Sequence, residues 1–204
     1  MIKVVLFDFG GVIYEHPKAV IPEVLSRIYN VPLEKAVSFY NTYKDDYYVG
    51  NISSDALIEA LSRDFGSNLA TAEVKDRWMK YYGEMSKTNP EILELIKKVK
   101  VGRKVYLFSN TTEMSNAHNQ NIGVYDLFDG LFMSFQQGVK KPNPEFYKKV
   151  LSQVGVSAGE VLFIDDSYDN LEPAKRLGIK TILFNILEDD PQQLSEQINS
   201  VLEA

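Results

Sequence analysis

The chain has 204 residues, carries a formal charge of −6 and contains no cysteine. A chain of this length buries roughly 70% of its surface on folding, so it needs no disulfide or structural metal to fold. The absence of cysteine excludes thiolate metal sites and a cysteine nucleophile, and the acidic balance disfavours nucleic acid as a partner. No apolar run approaches the roughly 20 residues of a membrane span, so we expect no membrane partner and a cytoplasmic location.

The first predicted element is a strand at Val4–Phe7, where four successive apolar residues indicate burial on both faces. The stretch that follows has a different pattern, because from about residue 16 to residue 88 apolar residues recur every three or four positions. This periodicity predicts helices, separated by short Asn, Pro, Gly and Ser segments. The four predicted helices are Val20–Tyr29, Leu33–Tyr47, Ser54–Phe65 and Ala72–Ser86.

The rest of the chain alternates between helical and strand-like patterns, which is the order of an α/β fold with a doubly wound parallel sheet. The predicted helices are Pro90–Val99, Pro144–Val154, Asn170–Leu177 and a last helix from Pro191. The predicted strands are Val105–Phe108, Leu131–Met133, Val161–Ile164 and Thr181–Phe184. We therefore expect an α/β core of residues 1–15 and 89–204 with an inserted helical cap of residues 16–88.

Polar residues follow three of the predicted strands, at the edge where doubly wound sheets bind ligands. Lys141 precedes the helix between the third and fourth of the five strands. Carboxylates, a hydroxyl and a lysine that meet at one edge suit a divalent cation and a phosphoryl group. The three polar segments are Asp8-Phe9-Gly10-Gly11, Ser109-Asn110-Thr111 and Asp165-Asp166-Ser167-Tyr168-Asp169-Asn170.

These segments resemble, in order and spacing, the four motifs of the haloacid dehalogenase superfamily. The helical stretch resembles the cap that many members carry between the first two motifs. In particular, the chain resembles bacterial sugar-phosphate phosphatases of the glucose-1-phosphate type, which have glycine two residues after the nucleophile. The matching motifs are Phe7-Asp8-Phe9-Gly10-Gly11-Val12, Ser109-Asn110-Thr111, Gly138-Val139-Lys140-Lys141-Pro142 and Asp165-Asp166.

The resemblance implies a phosphatase that acts on a small phosphorylated metabolite such as a sugar phosphate. Asp8 would attack phosphorus and form an aspartyl-phosphate, which water would then hydrolyse. Ser109 and the backbone amide of Asn110 would hold the phosphoryl oxygens. Lys141 would neutralise the charge of Asp8 and of the transferred group.

The resemblance also implies a Mg²⁺ cofactor, which prefers a shell of oxygen ligands. Its protein ligands would be the Asp8 carboxylate, the Gly10 carbonyl and the Asp166 carboxylate. Asp165 and Asn170 would lie outside this shell.

The chain departs from the commoner phosphatases at Gly10, where those enzymes carry an aspartate that serves as general acid and base. Glycine cannot donate a proton, and such help is typically worth about 10² to 10⁴ in rate. Tyr14, Glu15 and His16 follow the loop and are candidate replacements.

Two alternative functions stay open. One is a haloacid dehalogenase, in which the aspartate attacks carbon without Mg²⁺, although Asp166 argues against it. The other is a non-catalytic phosphate-binding or regulatory protein in which Gly10 records lost catalysis. Transfer to a second sugar hydroxyl, as in mutases, is disfavoured by the same loss.

Residues of the helical cap are expected to contact the substrate. Lys44, Asp45 and Asp46 are candidates that the sequence cannot rank, and Lys140 is expected to be a solvated charge. Nothing in the sequence indicates an oligomeric state. Helical spacing predicts that three tyrosines belong to the core of the cap, namely Tyr40, Tyr43 and Tyr47.

Overall fold

The computed structural model describes residues 1–17 and 19–203 and has a parallel sheet of five strands at its centre. The sheet has the order β5-β4-β1-β6-β7, while β2 and β3 form a separate antiparallel ribbon. This arrangement confirms the predicted α/β class. The strands are β1 (Val4–Phe7), β2 (Tyr14–Glu15), β3 (Lys87–Thr88), β4 (Lys104–Ser109), β5 (Gly130–Met133), β6 (Val161–Asp165) and β7 (Lys180–Leu183).

Ten α-helices lie in the part of the chain that the structure describes. They are α1 (Val20–Tyr29), α2 (Leu33–Tyr48), α3 (Ser54–Phe65), α4 (Thr71–Glu84), α5 (Pro90–Val99), α6 (Glu113–Asn121), α7 (Ser134–Gln137), α8 (Pro144–Val154), α9 (Tyr168–Arg176) and α10 (Pro191–Glu203). Helix α4 is shorter than predicted at its carboxyl end, because residues 87 and 88 pair with β2. Helix α9 begins two residues earlier than predicted, at Tyr168.

Strand β1 is buried on both faces, as its run of apolar residues predicts. Val5 and Phe7 belong to a hydrophobic cluster that continues into helices α1–α4. Val4 and Leu6 belong to a second cluster on the opposite face, together with Phe108 and others. Each buried side chain of this size contributes about 1.5–3 kcal/mol relative to exposure, so the central strand is firmly held.

The insertion, defined here as helices α1–α4, lies between β2 and β3. Its core includes Trp78, Leu25 and Leu61, all fully buried. The ribbon brings the two ends of the insertion together, since Tyr14 pairs with Thr88. The division into domains at residues 15 and 88 stays a prediction. Among the described residues, no helix has the length and apolar character needed to cross a membrane.

Candidate functional site

Three carboxylates meet at the carboxyl end of the sheet. Strands β1 and β6 are paired neighbours, with Phe7 opposite Ile164, so the residues that follow these two are also adjacent. Asp8, Asp165 and Asp166 each offer an oxygen within 4.8 Å of the others. Asp8 and Asp165 are buried and Asp166 is half-buried. Asp165 is the last residue of β6, one residue beyond the predicted end of that strand.

Lys141 lies between two of these carboxylates and is only 1% exposed. Its Nζ is 2.6 Å from Asp165 Oδ2 and 3.0 Å from Asp8 Oδ1, and it donates to the Phe108 carbonyl at 2.9 Å. These three acceptors use all three donors of an ammonium group. Burial by itself lowers the pKa of Lys141, but the charges of Asp165 and Asp8 outweigh it and raise the pKa. Lys141 is therefore held as a cation.

The side chain of Asn110 fixes the backbone of Lys141. Asn110 Nδ2 donates to the Lys141 carbonyl at 2.8 Å, and the Lys141 N–H donates to Asn110 Oδ1 at 2.8 Å. The sequence interpretation used only the backbone amide of Asn110 and missed this pair of hydrogen bonds. The two bonds connect the end of β4 to the loop before α8 and so determine where the buried ammonium lies.

The Asp165 carboxylate accepts four hydrogen-bond contacts from protein donors, two on each oxygen, which leaves no lone pair for a metal. Its Oδ1 accepts from the Ser167 N–H at 2.8 Å and from Asn170 Nδ2 at 3.0 Å. Its Oδ2 accepts from Lys141 at 2.6 Å and from Asn170 at 3.2 Å. The arrangement suits an anchor for Lys141 rather than a metal ligand.

Asp8 and Asp166 retain free oxygens. Asp8 Oδ1 accepts from the Phe9 N–H at 2.7 Å and faces Lys141, while no described protein donor bonds Asp8 Oδ2. The Asp166 carboxylate accepts a hydrogen bond from its own backbone N–H and none from a described side chain. Gly11 has a φ of +77°, and a Cβ there would lie 2.2 Å from Asp166 Oδ2. Only glycine therefore permits this close approach of loop and carboxylate.

The electrostatics of the cluster favour a divalent cation. Burial raises the pKa of Asp8 to about 7, Lys141 opposes the rise, and the charges of Asp165 and Asp166 add to it. Burial and the charge of Asp165 also raise the pKa of Asp166. A cation between Asp8 and Asp166 would offset this repulsion, and an all-oxygen donor set is the one that Mg²⁺ prefers. The residues present thus fit Mg²⁺.

The structure brings the predicted site residues to one edge of the sheet. Ser109 is buried and is the last residue of β4, one residue beyond the predicted strand end. Thr111, in the same motif, exchanges hydrogen bonds with Ser134 at 3.0 Å in both directions, and Thr112 caps α6. The residues gathered at this edge are Asp8, Gly10, Ser109, Asn110, Lys141, Asp165, Asp166 and Asn170.

The sequence profile of the haloacid dehalogenase-like hydrolases matches residues 2–178. The chain belongs to this family. The D-ribitol-5-phosphate phosphatase of Bacteroides thetaiotaomicron is 28% identical to it over 209 residues, which cover 98% of this chain and 100% of that protein. The glyceraldehyde 3-phosphate phosphatase of Methanocaldococcus jannaschii is 25% identical over 224 residues, with coverage of 100% and 95%.

Solved structures share the fold of this hydrolase. A haloacid dehalogenase family enzyme from Bacteroides thetaiotaomicron, in complex with magnesium and inorganic phosphate, gives a TM-score of 0.76 at 22% identity. The match covers 95% of this chain and 99% of that one. The resemblance inferred from the four motifs is thereby confirmed at the level of family and fold.

The space beside Gly10 is filled from another part of the hydrolase. A Cβ at Gly10 would lie 2.6 Å from His16 Nε2. The His16 Nδ1 lies 2.9 Å from the Pro17 carbonyl, which can only accept, so Nδ1 carries the proton of this hydrogen bond. Of the other two candidates, Tyr14 is buried against His118. His16 therefore fills the space that a side chain at position 10 would need.

Two neighbouring cavities open from this edge of the hydrolase. The Asp8-side cavity has a volume of about 310 Å³ and is lined by Asp8 and Asp166. The insertion-side cavity has a volume of about 300 Å³ and extends between the core and helices α1, α2, α4 and α6. The residues that line both cavities are Gly10, His16, Tyr48 and Asn110.

The insertion contributes side chains to both cavities that the sequence alone did not identify. Tyr48 of α2 lines both, and burial raises its pKa, as does the nearby charge of Asp8. Tyr40, expected in the core of the cap, is buried but also lines the insertion-side cavity, as does Tyr82. The helical spacing of the tyrosines in α2 is the sequence pattern that could have identified them, but this spacing does not show which face of the helix meets the core.

Helix α2 also contacts the loop that carries Lys141. Lys140 forms an ion pair with Asp45 and lies 5.7 Å from the centroid of the Tyr48 ring. Lys140 is thus a surface charge, and the sequence did not show that α2 supplies its partner. Further along, Tyr47 accepts a hydrogen bond from the Met114 N–H at 3.2 Å.

Proposed function

We propose that this hydrolase is a Mg²⁺-dependent phosphatase that hydrolyses a small phosphorylated metabolite, such as a sugar phosphate, through an aspartyl-phosphate on Asp8. The observation that carries the proposal is the buried Asp8–Lys141–Asp165 ion cluster, which leaves one Asp8 oxygen and the Asp166 carboxylate facing a cavity. Burying such a charge arrangement costs desolvation free energy, and clusters of this kind concentrate at sites that bind a ligand or a metal.

The proposed reaction uses Asp8 in two displacements. An Asp8 oxygen bonds to phosphorus as the bond from phosphorus to the leaving-group oxygen breaks, and that oxygen takes up a proton from solvent water. Water then attacks phosphorus as the bond from phosphorus to Asp8 breaks, which releases inorganic phosphate, returns a proton to solvent and restores the Asp8 carboxylate. Lys141 neutralises the charge on Asp8 and on the transferred group throughout.

The other motif residues would bind and orient the phosphoryl group. Ser109 and the Asn110 backbone amide lie at the end of β4 and would donate hydrogen bonds to its oxygens. The Asp8 and Asp166 carboxylates and the Gly10 carbonyl would hold Mg²⁺, which when bound stabilises negative charge on the phosphoryl oxygens. Asp165 and Asn170 would keep Lys141 in place.

Helices α1–α4 would act as a cap over this site. They line the insertion-side cavity next to Gly10 and would exclude water during transfer and select the leaving group. The relatives named as phosphatases of D-ribitol 5-phosphate and glyceraldehyde 3-phosphate support a small phosphorylated molecule as the substrate.

The test is phosphate release from p-nitrophenyl phosphate and a panel of sugar and polyol phosphates, with Mg²⁺ and with EDTA. We expect Mg²⁺-dependent turnover in the wild type and its loss in Asp8→Asn. Asp169→Asn is the matched control, because Asp169 is exposed on the first turn of α9 and should keep the activity.

Each alternative has its own outcome in this assay. One outcome is a folded protein that binds phosphate and releases none from any ester. That result would contradict the proposal and favour a non-catalytic role, explained by the lack of a general acid at Gly10. Halide release from 2-haloacids in EDTA would favour a dehalogenase. The position of Asp166 next to Asp8 argues against that chemistry, because a metal-free attack on carbon has no use for a second carboxylate.

A further inference from the structure

One face of α2 lines the insertion-side cavity. Its lining residues occur at spacings of three and four, which places them along one side of the helix. Tyr48, at the carboxyl end of the helix, also lines the Asp8-side cavity, so this face begins next to Asp8 and leads away from it. The residues of this face are Val37, Tyr40, Asn41, Lys44 and Tyr48.

Lys44 is the charged side chain on this face. Among the described residues that line the insertion-side cavity, none is an aspartate or a glutamate. Lys44 takes part in none of the ion pairs of the described residues. Among the described residues, no carboxylate of the cavity lining forms an ion pair with this half-buried cation.

The two carboxylates next to Lys44 in sequence are engaged elsewhere. Asp45 pairs with Lys140, and Asp46 accepts from the Asn51 side chain at 3.0 Å. Both are exposed, and neither lines the insertion-side cavity. The structure thus separates the three cap residues that the sequence could not rank and leaves Lys44 as the one at the cavity.

Two further lining residues contain buried polar atoms that lack a protein partner. Tyr40 is 4% exposed and Asn119 is 1% exposed. Neither the Tyr40 hydroxyl nor Asn119 Oδ1 has a hydrogen-bond partner among the described residues, and both atoms are inaccessible to solvent. A buried polar atom without a partner costs about 1–3 kcal/mol, so a ligand hydroxyl that reached either atom would remove this cost.

We propose that the insertion-side cavity binds a leaving group with a second anionic group, and that Lys44 is its specificity-determining residue. The ligand class is a short hydroxylated phosphate ester that carries a carboxylate or a second phosphate. This inference rests on the phosphatase function proposed above. Lys44 lies four residues from Tyr48, about 6 Å along the helix axis, so the second anion lies a few carbon atoms from the ester oxygen.

The experiment compares pairs of phosphate esters that differ in the second anion. Phosphoglycerate and glycerol 3-phosphate test a carboxylate, and fructose 1,6-bisphosphate and fructose 6-phosphate test a second phosphate. In the wild type with Mg²⁺ we expect a higher kcat/KM for the anionic member of at least one pair. Because a hydrogen bond to a charged group is lost, Lys44→Met should reduce that preference roughly 10- to 100-fold.

Two variants serve as controls for this ratio. Lys35→Met makes the same substitution on an exposed position of α2, away from the cavity, and should keep the wild-type preference. Lys44→Arg keeps the positive charge and should retain most of the preference for the anionic ester. Calorimetric binding of the anionic and neutral esters to Asp8→Asn with Mg²⁺ gives the same comparison without turnover.

The outcomes separate the two proposals. A wild type that prefers the neutral member of both pairs, or a preference that Lys44→Met leaves unchanged, would overturn the role of Lys44 while the phosphatase stands. Release of no phosphate from p-nitrophenyl phosphate or any of the four esters would instead overturn the proposed function. Thermal unfolding of each variant confirms that it is folded.

Discussion

Lys140 and Lys141 are adjacent in sequence but belong to two regions with opposite physical properties. Lys141 is enclosed at the sheet edge between Asp8 and Asp165. Lys140 lies at the surface, where its ion pair with Asp45 joins the insertion to the core and the side chains are 32% and 73% exposed. Breaking the two ion pairs should therefore change the free energy of unfolding by very different amounts. Removing one buried partner leaves an unpaired charge away from water, whereas water screens the exposed charges.

The largest effect is expected for Lys141→Met. The substitution leaves two buried carboxylates without their cation, and breaking such a cluster costs about 3–5 kcal/mol. Urea denaturation in EDTA measures the free energy of unfolding, with Lys140→Met as the control from the neighbouring position. Equal losses in the two variants would show that the buried and exposed lysines do not differ as the structure indicates.

An intermediate effect is expected for Asn110→Ala. The variant removes both hydrogen bonds to the Lys141 backbone, and unsatisfied buried groups cost about 1–3 kcal/mol. We also expect a lower kcat, because the ammonium is no longer held against Asp8. Asn68→Ala, at an exposed position between α3 and α4, is the control. Normal kcat in a destabilised Asn110→Ala protein would mean that the contact is structural only.

The smallest effect is expected for Asp45→Asn. An exposed ion pair contributes about 0–1 kcal/mol, and added salt should reduce even this. The hydrogen bond and charge of Lys140 lower the pKa of Asp45. Any stability from the pair is therefore present above the usual aspartate pKa of about 4 and is lost as the pH falls through the lowered value. Unfolding measured against pH and salt, for wild type and variant, checks both dependences.

Much of the fold could be predicted from the sequence because the central strands are apolar at consecutive positions. Helix α6 could not, since its residues are mostly polar and show no helical stripe. The ribbon of β2 and β3 was missed because two residues per strand give no pattern. The predicted ends of β4 and β6 were one residue short, because the backbone of the polar residues Ser109 and Asp165 continues the pairing of the sheet.

Some residues of the candidate site could likewise be predicted from the sequence, and others could not. Asp8, Lys141 and Asp166 could be identified because each lies in a motif at the end of a strand or before a helix. The contributions of Tyr48 and Lys44 depend on how the insertion packs against the core, and that of His16 on a space that only Gly10 leaves open. No local pattern contains such information, and the catalytic roles of all these residues stay predictions.

The pairing of β2 with β3 bears on how the inserted segment can be replaced. Because Tyr14 lies beside Thr88 and Glu15 beside Lys87, the chain enters and leaves the insertion at neighbouring points. The two ends of this segment are adjacent, so its replacement need not move β1 or β4. Under the proposed function, exchange of this segment between relatives, in evolution or in the laboratory, offers a route to new substrates while the residues around Asp8 stay unchanged.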